Sequence, residues 1–277
     1  MLTASSTRQA AALARFRQGC VIPAHPLALT PDRRLDERRQ RALTRYYLAS
    51  GAGGIAVGVH TTQFAIHDPA VGLLAPVLEL AAETAAGSDA VLVAGACGDT
   101  AQAVAEAELA ASLGYHMVLL SPYAGLDEDG LVERARAVGE VLPVIGFYLQ
   151  PAVGGRELSR GFWARLAALE SVVGIKVAPF DRYRTLDVLH GVCAAGRNGD
   201  LALYTGNDDH ILADLVAPHR VIVDGRAVEV EFVGGLLGQW AVWAGTAVTL
   251  LDEARRARDG DDAALRRLLT LDGHLTD

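Results

Sequence analysis

Lysine is almost absent from this sequence. Lys176 is the single lysine, and every other one of the 25 Lys+Arg residues is an arginine. Arginine replaces lysine well as a surface cation, but its guanidinium keeps its proton and cannot attack a carbonyl carbon. An amine, in contrast, loses its proton readily once it is desolvated. Lys176 therefore has two interpretations: it occupies a position that requires an amine, or it is one survivor of a general bias against lysine codons.

Cysteines, long apolar runs and basic clusters are also scarce. Cys20, Cys97 and Cys193 are far apart and odd in number, so we expect free thiols in a reducing compartment rather than a disulfide framework. No apolar run approaches the ~18 residues of a membrane span. A net charge of -8 without a basic cluster argues against nucleic acid or membrane as partner. We expect a cytoplasmic protein and interpret residues 1–19 as an N-terminal helix rather than a transit peptide.

Short apolar runs alternate with helical periodicity along the chain, which is typical of a parallel sheet covered by helices. We predict eight strands within these segments: Val21–Leu29, Gly54–Val59, Ala90–Ala94, His116–Leu120, Val144–Leu149, Val172–Val177, Leu201–Tyr204 and Val228–Val233. Eight βα units in roughly 235 residues favour an α/β fold of the (β/α)8 TIM barrel type over an open doubly wound sheet, which remains the alternative. We predict one domain over residues 1–277, with the barrel at 20–258 and a short C-terminal helical extension at 259–277.

Start and stop signals place helices between these strands. Asp99 and Asp127 each precede an amphipathic stretch, in the position of a helix N-cap. Val221–Val228 departs from the βα rhythm, because two β-rich runs flank an Asp-Gly pair, which predicts a hairpin before the last strand. Leu236–Arg258 is predicted to be helical.

The surroundings of Lys176 predict chemistry. It lies in a β-branched run, Val172–Val177, of the kind that forms a strand buried on both faces. Burial desolvates the amine and makes it a candidate Schiff-base nucleophile. Tyr148 ends the preceding strand, and strand ends meet at one mouth of a barrel, so its phenol is predicted to transfer protons beside the amine. The alternative for Tyr148 is an aromatic residue packed against a helix.

Several motifs carry a more specific resemblance. Phe147-Tyr148-Leu149-Gln150-Pro151 resembles the tyrosine–X–X–proline of strand five, and Val173-Gly174-Ile175-Lys176 the glycine–isoleucine–lysine of strand six, in the N-acetylneuraminate lyase and dihydrodipicolinate synthase family. Further matches in register are Leu29-Thr30-Pro31, Ala94-Gly95, Ser121-Pro122-Tyr123 and Thr205-Gly206-Asn207-Asp208. The resemblance implies a barrel enzyme, often a homo-oligomer, that joins a 2-oxo acid such as pyruvate to lysine as an imine. We expect no cofactor.

The same resemblance suggests substrate-binding residues. The family's glycine–threonine/serine–threonine–glycine–glutamate motif, which holds the oxo acid's carboxylate, falls on Val59–Gln63. Thr61 then keeps the second hydroxyl, and backbone amides of His60 to Thr62 are available to a carboxylate. After strand seven the expected substrate-binding residues are Gly206, Asp208 and Asp209; the two acids match residues that bind sugar hydroxyls in the lyase branch.

Departures from the family pattern bear on the substrate. Ala124 replaces the second tyrosine of the synthase, and Val153 replaces its arginine for the aldehyde's carboxylate, so we do not expect a true dihydrodipicolinate synthase. Ala178 replaces a threonine of the lyase branch, which argues against sialic acid. His60 is a hypothetical substitute for the missing hydroxyl, because imidazole transfers protons near neutrality.

Three functions remain open at this point. The first is a class I, Schiff-base aldolase or lyase acting on a 2-oxo acid and an aldehyde, as a homodimer or tetramer. The second is a dehydratase that uses the same imine to expel water from a 2-oxo-3-deoxy sugar acid. The third is a binding barrel without catalysis. We predict no metal site, because His60 and His67 lack a compact set of further ligands in the sequence.

Overall fold

The computed structural model describes the backbone of residues 4–275 and the side chains of residues 7–275; the outermost residues of the predicted domain, 1–3 and 276–277, lie outside this range. The strands in chain order are β1 Val21–Pro23, β2 Gly54–Val57, β3 Val91–Ala96, β4 Met117–Leu120, β5 Val144–Leu149, β6 Val172–Ala178, β7 Ala202–Thr205, β8 His219–Val223, β9 Arg226–Val230 and β10 Phe232–Leu237. Eight of them form one parallel sheet in the order β1-β10-β7-β6-β5-β4-β3-β2. A parallel bridge from Ala24 to Ala56 of β2 closes the sheet. The predicted TIM barrel is confirmed.

Helices surround this barrel and close one end of it. They are α1 Ala4–Gln18, α2 Glu37–Ala49, α3 Leu74–Ala85, α4 Thr100–Ser112, α5 Glu128–Gly139, α6 Arg160–Ala167, α7 Arg182–Ala194, α8 Ile211–Val216, α9 Ala244–Arg258 and α10 Asp262–Leu275. Asp99 and Asp127 cap α4 and α5 as predicted, since each side chain accepts a hydrogen bond from a first-turn N–H. Among the described residues, no helix combines the length and apolar character that crossing a bilayer requires.

The segment before α9 differs in part from the sequence prediction. β8 and β9 form the predicted antiparallel hairpin, and Asp224 and Gly225 turn it with φ of 49° and 74°, the left-handed values of a type I′ turn. The last barrel strand, however, is Phe232–Leu237, so the prediction that Leu236 begins a helix is wrong. An uninterrupted apolar run fits a buried strand or a buried helix equally well, and periodicity alone cannot separate them.

Each barrel strand contributes to two separate cores because side chains alternate between the faces of a strand. The inner core fills the barrel and includes Phe147, Val173 and Tyr204. The outer core lies between the strands and the helices and includes Tyr148 and Val177. Full burial of a large apolar side chain contributes on the order of 2 kcal/mol. It is therefore strongly fixed which residues of each strand face the barrel interior and which face the helices.

Helix α1 closes the barrel at the amino-terminal ends of the strands. Its Phe16 is fully buried and stacks on Tyr204 from β7, with ring centroids 4.6 Å apart. The opposite end, where the strands finish, is formed by the loops that follow them. In a TIM barrel this carboxyl-terminal end is where reacting groups collect.

Candidate active site

Lys176 lies inside the barrel near the carboxyl end of β6. Only 7% of its surface is exposed, and it is in register with Phe147 of β5. The Nζ atom lies 4.3 Å from the centroid of the Phe147 ring. Gly206, after β7, leaves room for the lysine, since a Cβ there would come within 2.8 Å of Cε. The amine therefore lies in a narrow, largely apolar space.

This environment changes the protonation of Lys176. Burial lowers the pKa of the amine to about 8, although the charge of Asp208 acts in the opposite direction. At pH 7 a group with this pKa is neutral in about a tenth of molecules, whereas an ordinary lysine is neutral in fewer than about one in a thousand. The amine is thus available as a nucleophile near neutrality.

Asp208 is the acidic neighbour of the amine. It lies half-buried in the short 3₁₀ turn Asp208–His210 after β7, together with Asp209. Burial raises the pKa of Asp208 to about 6, while the charge of Lys176 lowers it and that of Asp209 raises it further. A carboxyl group with this pKa can accept or donate a proton near neutral pH.

Tyr148 does not accompany Lys176, contrary to the prediction. It is in register with Val177, one residue beyond the lysine, and therefore points to the opposite face of the sheet. Its ring packs on Trp163 of α6, with centroids 5.0 Å apart, and the residue belongs to the outer core. The aromatic side chain that faces the amine is Phe147, which carries no exchangeable proton.

A different phenol, Tyr204, shares the inner face with the lysine. It is in register with Lys176 on β7. Its hydroxyl, however, donates to the carbonyl oxygen of Phe16 at 2.8 Å and lies 3.5 Å from Sγ of Cys20. Both partners belong to the closed end of the barrel, so Tyr204 anchors α1 there. Sequence reasoning missed this residue because Tyr204 lies in a strand that is buried on both faces, so its pattern does not distinguish the inner face from the outer.

The loop after β2 holds the three residues predicted to bind a carboxylate. The Thr62 hydroxyl accepts from the N–H of Gly58 at 3.1 Å and of Val59 at 3.3 Å, and donates to the carbonyl of His25 at 2.6 Å. Its own N–H donates to the carbonyl of Val59. Thr62 is fully buried and its groups are bonded within the loop, so it holds the shape of the loop; its role in substrate binding stays a prediction.

Backbone geometry also revises how the family motif aligns with this loop. Gln63 has a φ of 85°, a conformation that favours glycine. The motif's second glycine therefore corresponds to Gln63, and its two hydroxyls to Thr61 and Thr62. Thr61 is partly buried, and its Oγ1 lies 2.9 Å from the position of a Cβ at Gly238. The β2 loop thus packs against the loop after β10.

His60 begins the same loop on its solvent side. The side chain is exposed, and its ring lies 5.6 Å from that of Phe64. Partial burial lowers the pKa of His60, and the charge of Lys176 lowers it further. The imidazole is therefore within electrostatic range of the amine.

A buried polar network holds the β7 loop in place. Asp214 of α8 is fully buried, and its carboxylate accepts hydrogen bonds from Thr205 at 2.7 Å, Asn207 at 2.9 Å and Arg182 at 2.8 Å. Asn207 directly precedes Asp208, so the network fixes the backbone that carries this acid. Asp214 carries no signal of this role in the sequence, where it is one acid in an apolar helix.

Comparison with known proteins bears on the family resemblance. Residues 18–220 match the model of the Dihydrodipicolinate synthetase family. The 4-hydroxy-tetrahydrodipicolinate synthase of Azoarcus sp. (strain BH72) is 30% identical over 188 residues, which are 66% of this chain and 61% of that protein. The chain spans about three fifths of the length of the curated relatives it matches.

Solved structures share the fold. Dihydrodipicolinate synthase from Oceanobacillus iheyensis superposes with a TM-score of 0.69 at 20% identity, over 93% of this chain and 79% of that one. N-acetylneuraminate lyase from Fusobacterium nucleatum gives a TM-score of 0.72 at 18% identity, over 92% and 81%. The resemblance predicted from the motifs of strands five and six is confirmed.

Proposed function

Because the chain belongs to the dihydrodipicolinate synthetase family, we propose that it is a Schiff-base lyase or aldolase acting on pyruvate or a related 2-oxo acid. One observation supports this most: the Lys176 amine is buried at the carboxyl end of β6, with its pKa lowered to about 8. A neutral amine attacks the 2-oxo carbon, and loss of water from the carbinolamine leaves a protonated imine.

The imine is an electron sink for carbon–carbon chemistry. In the cleavage direction, a base removes the proton of the C4 hydroxyl and the C3–C4 bond breaks. The electrons of that bond pass into the imine to form an enamine, and C4 leaves as an aldehyde. Protonation of the enamine and hydrolysis then release the 2-oxo acid and the free amine. In the synthetic direction the enamine attacks an aldehyde. Each direction moves protons close to Nζ, so an acid–base group is required nearby.

We assign proton transfer to Asp208, with His60 as the second candidate, instead of Tyr148. Asp208 interacts electrostatically with Lys176, and its pKa of about 6 suits exchange near neutrality. His60 also responds to the charge of Lys176. For the oxo acid's carboxylate we propose the Thr61 hydroxyl and the amides of His60 and Thr61. Asp209 and the Gly206 backbone then form the outer wall that receives the aldehyde.

Reductive trapping tests this assignment. The protein is treated with pyruvate and borohydride, digested, and mapped by mass spectrometry; we expect an adduct on the peptide that contains Lys176. Lys176→Arg is the matched control, since it keeps a cation but cannot form an imine. Absence of an adduct with pyruvate and with a panel of other 2-oxo acids would refute the proposal.

Product assays separate two alternative functions that trapping alone does not. A dehydratase would form the same imine but release water instead of an aldehyde from a 2-oxo-3-deoxy sugar acid, so the identity of the product distinguishes it. A binding barrel without catalysis would be consistent with the observation that Phe147, and not Tyr148, faces the amine. Trapping on Lys176 with no turnover of any sugar acid or aldehyde tested would select this last function.

A further inference from the structure

Three side chains with metal-binding atoms meet outside the Lys176 site. His67 ends the 3₁₀ turn Phe64–His67 after β2, Cys97 follows β3, and Glu106 lies on α4. Their ligand atoms, one from each residue, all lie within 4.8 Å of one another. His67 and Glu106 are buried, and Cys97 is partly exposed. The set comes from three separate segments, which explains why the sequence showed no compact group of ligands.

Hydrogen bonding fixes the tautomer of the His67 ring. Nε2 lies 2.7 Å from the carbonyl oxygen of Gly58, and a carbonyl only accepts, so Nε2 carries a proton. In a neutral ring Nδ1 then presents its lone pair to Oε1 of Glu106, 3.0 Å away. Two lone pairs cannot face each other at this distance without a positive charge between them. That charge is either a proton on Nδ1 or a metal ion.

The two possibilities use the surrounding residues differently. Without a metal ion, a proton on Nδ1 bridges the ring to Oε1 of Glu106, 3.0 Å away. The proton requires only His67 and Glu106. A metal ion uses the third residue as well, because Sγ of Cys97 lies beside the same carboxylate, 4.0 Å from Oε1.

We propose that His67, Cys97 and Glu106 form a binding site for a divalent ion of the zinc class. Imidazole nitrogen, thiolate and carboxylate are zinc ligands, and a sulfur ligand argues against magnesium or calcium. Three protein ligands leave a fourth position, which the partly exposed side of Cys97 makes available to water. The Gly58 carbonyl orients the imidazole in the way that outer-shell groups orient metal-bound histidines.

Other contacts hold the carboxylate of the site in place. Oε2 of Glu106 accepts the N–H of Cys97 at 2.8 Å, and Oε1 accepts the amide of Gln102 at 2.9 Å. The Gln102 amide also lies 3.7 Å from Sγ of Cys97. The carboxylate itself needs little reorganisation, which favours binding.

Cobalt titration tests the site in the full-length chain. Protein treated with a chelator and then titrated with Co²⁺ is expected to develop a thiolate-to-cobalt charge-transfer band at one ion per chain, and Zn²⁺ is expected to displace it. Cys97→Ser should abolish the band, and Glu106→Gln should weaken binding by at least about tenfold. Cys193→Ser is the matched control, because its thiol is buried in the outer core away from this cluster, and it should titrate like the wild type.

A second measurement, of the melting temperature, distinguishes loss of the metal site from misfolding of a variant. Zn²⁺ should raise the melting temperature of the wild type and of Cys193→Ser by several degrees and leave Cys97→Ser unchanged, since an ion that binds only the folded state stabilises it. Circular dichroism verifies that the variants are folded. No charge-transfer band in the wild type, or an equal band in Cys97→Ser, would overturn the proposal in favour of a plain His67–Glu106 ion pair. Neither result depends on Lys176.

Discussion

Replacing the buried amine should stabilise the protein. Lys176→Met removes a group that the fold forces into an apolar space beside Phe147, while the thioether keeps most of the side-chain volume and packs well on an aromatic ring. Most substitutions in a core destabilise. An increase in the free energy of unfolding would therefore be diagnostic of a lysine kept for its chemistry at a cost in stability.

The magnitude follows from the pKa of the amine. An ordinary lysine has a pKa of 10.5, and Lys176 has one of about 8. At roughly 1.4 kcal/mol per pKa unit, the folded state loses about 3 kcal/mol at pH 7 by holding this ammonium. The pKa of Lys176 is lower in the folded state than in the unfolded chain, so the full free-energy cost of the buried ammonium applies below pH 8. It declines between pH 8 and 10.5, where only the unfolded chain still binds the proton, and is absent above.

Chemical denaturation at two pH values measures this effect. We expect Lys176→Met to be more stable than the wild type by about 2–3 kcal/mol at pH 7, with a clearly smaller difference at pH 9.5. Lys176→Arg is the control, because arginine keeps its charge at both pH values and should not stabilise. Equal or lower stability of Lys176→Met at pH 7, with no dependence on pH, would refute the idea that the amine is desolvated.

Three further substitutions test the surroundings of the amine. Tyr148→Phe should change the rate of reductive trapping less than about twofold, whereas loss of a true proton-transfer group typically costs at least about 100-fold; such a loss would return Tyr148 to the mechanism. Gly206→Ala should slow trapping by about tenfold or more, since its Cβ would meet Cε of Lys176 at 2.8 Å; an unchanged rate would contradict the close approach. Asp214→Asn should lower the free energy of unfolding by about 3 kcal/mol and shift the pH dependence of turnover, because the loop carrying Asp208 loses its anchor. A destabilised variant with an unchanged pH profile would limit Asp214 to a structural role.

The barrel and its lysine were predictable, whereas the direction of each side chain was not. The predicted bounds of β5 match the structure, and those of β6 differ by one residue, because β-branched and apolar runs are typical of parallel strands. Such strands are buried on both faces, so their sequence lacks the alternation of polar and apolar residues that would show which side chains point into the barrel. Phe147 and Tyr148 are therefore indistinguishable by pattern, and a shift of one residue exchanges the inner face for the outer.

Features formed by distant segments were beyond prediction from sequence patterns. Gln63 adopts a backbone conformation that its residue type does not signal, so the motif after β2 was aligned one residue early. The meeting of His67, Cys97 and Glu106 depends on how α4 packs against the loops after β2 and β3. Spacing along the chain carries no trace of this arrangement.

The central claim is that the amine of Lys176 forms an imine with a 2-oxo acid inside the barrel. A crystal soaked with pyruvate and reduced with borohydride tests it most directly. We predict continuous density from Nζ to C2 of the acid, with its carboxylate at the loop after β2. Pyruvate absent from Lys176 at saturating concentration, or an Nζ directed into bulk solvent, would contradict the account.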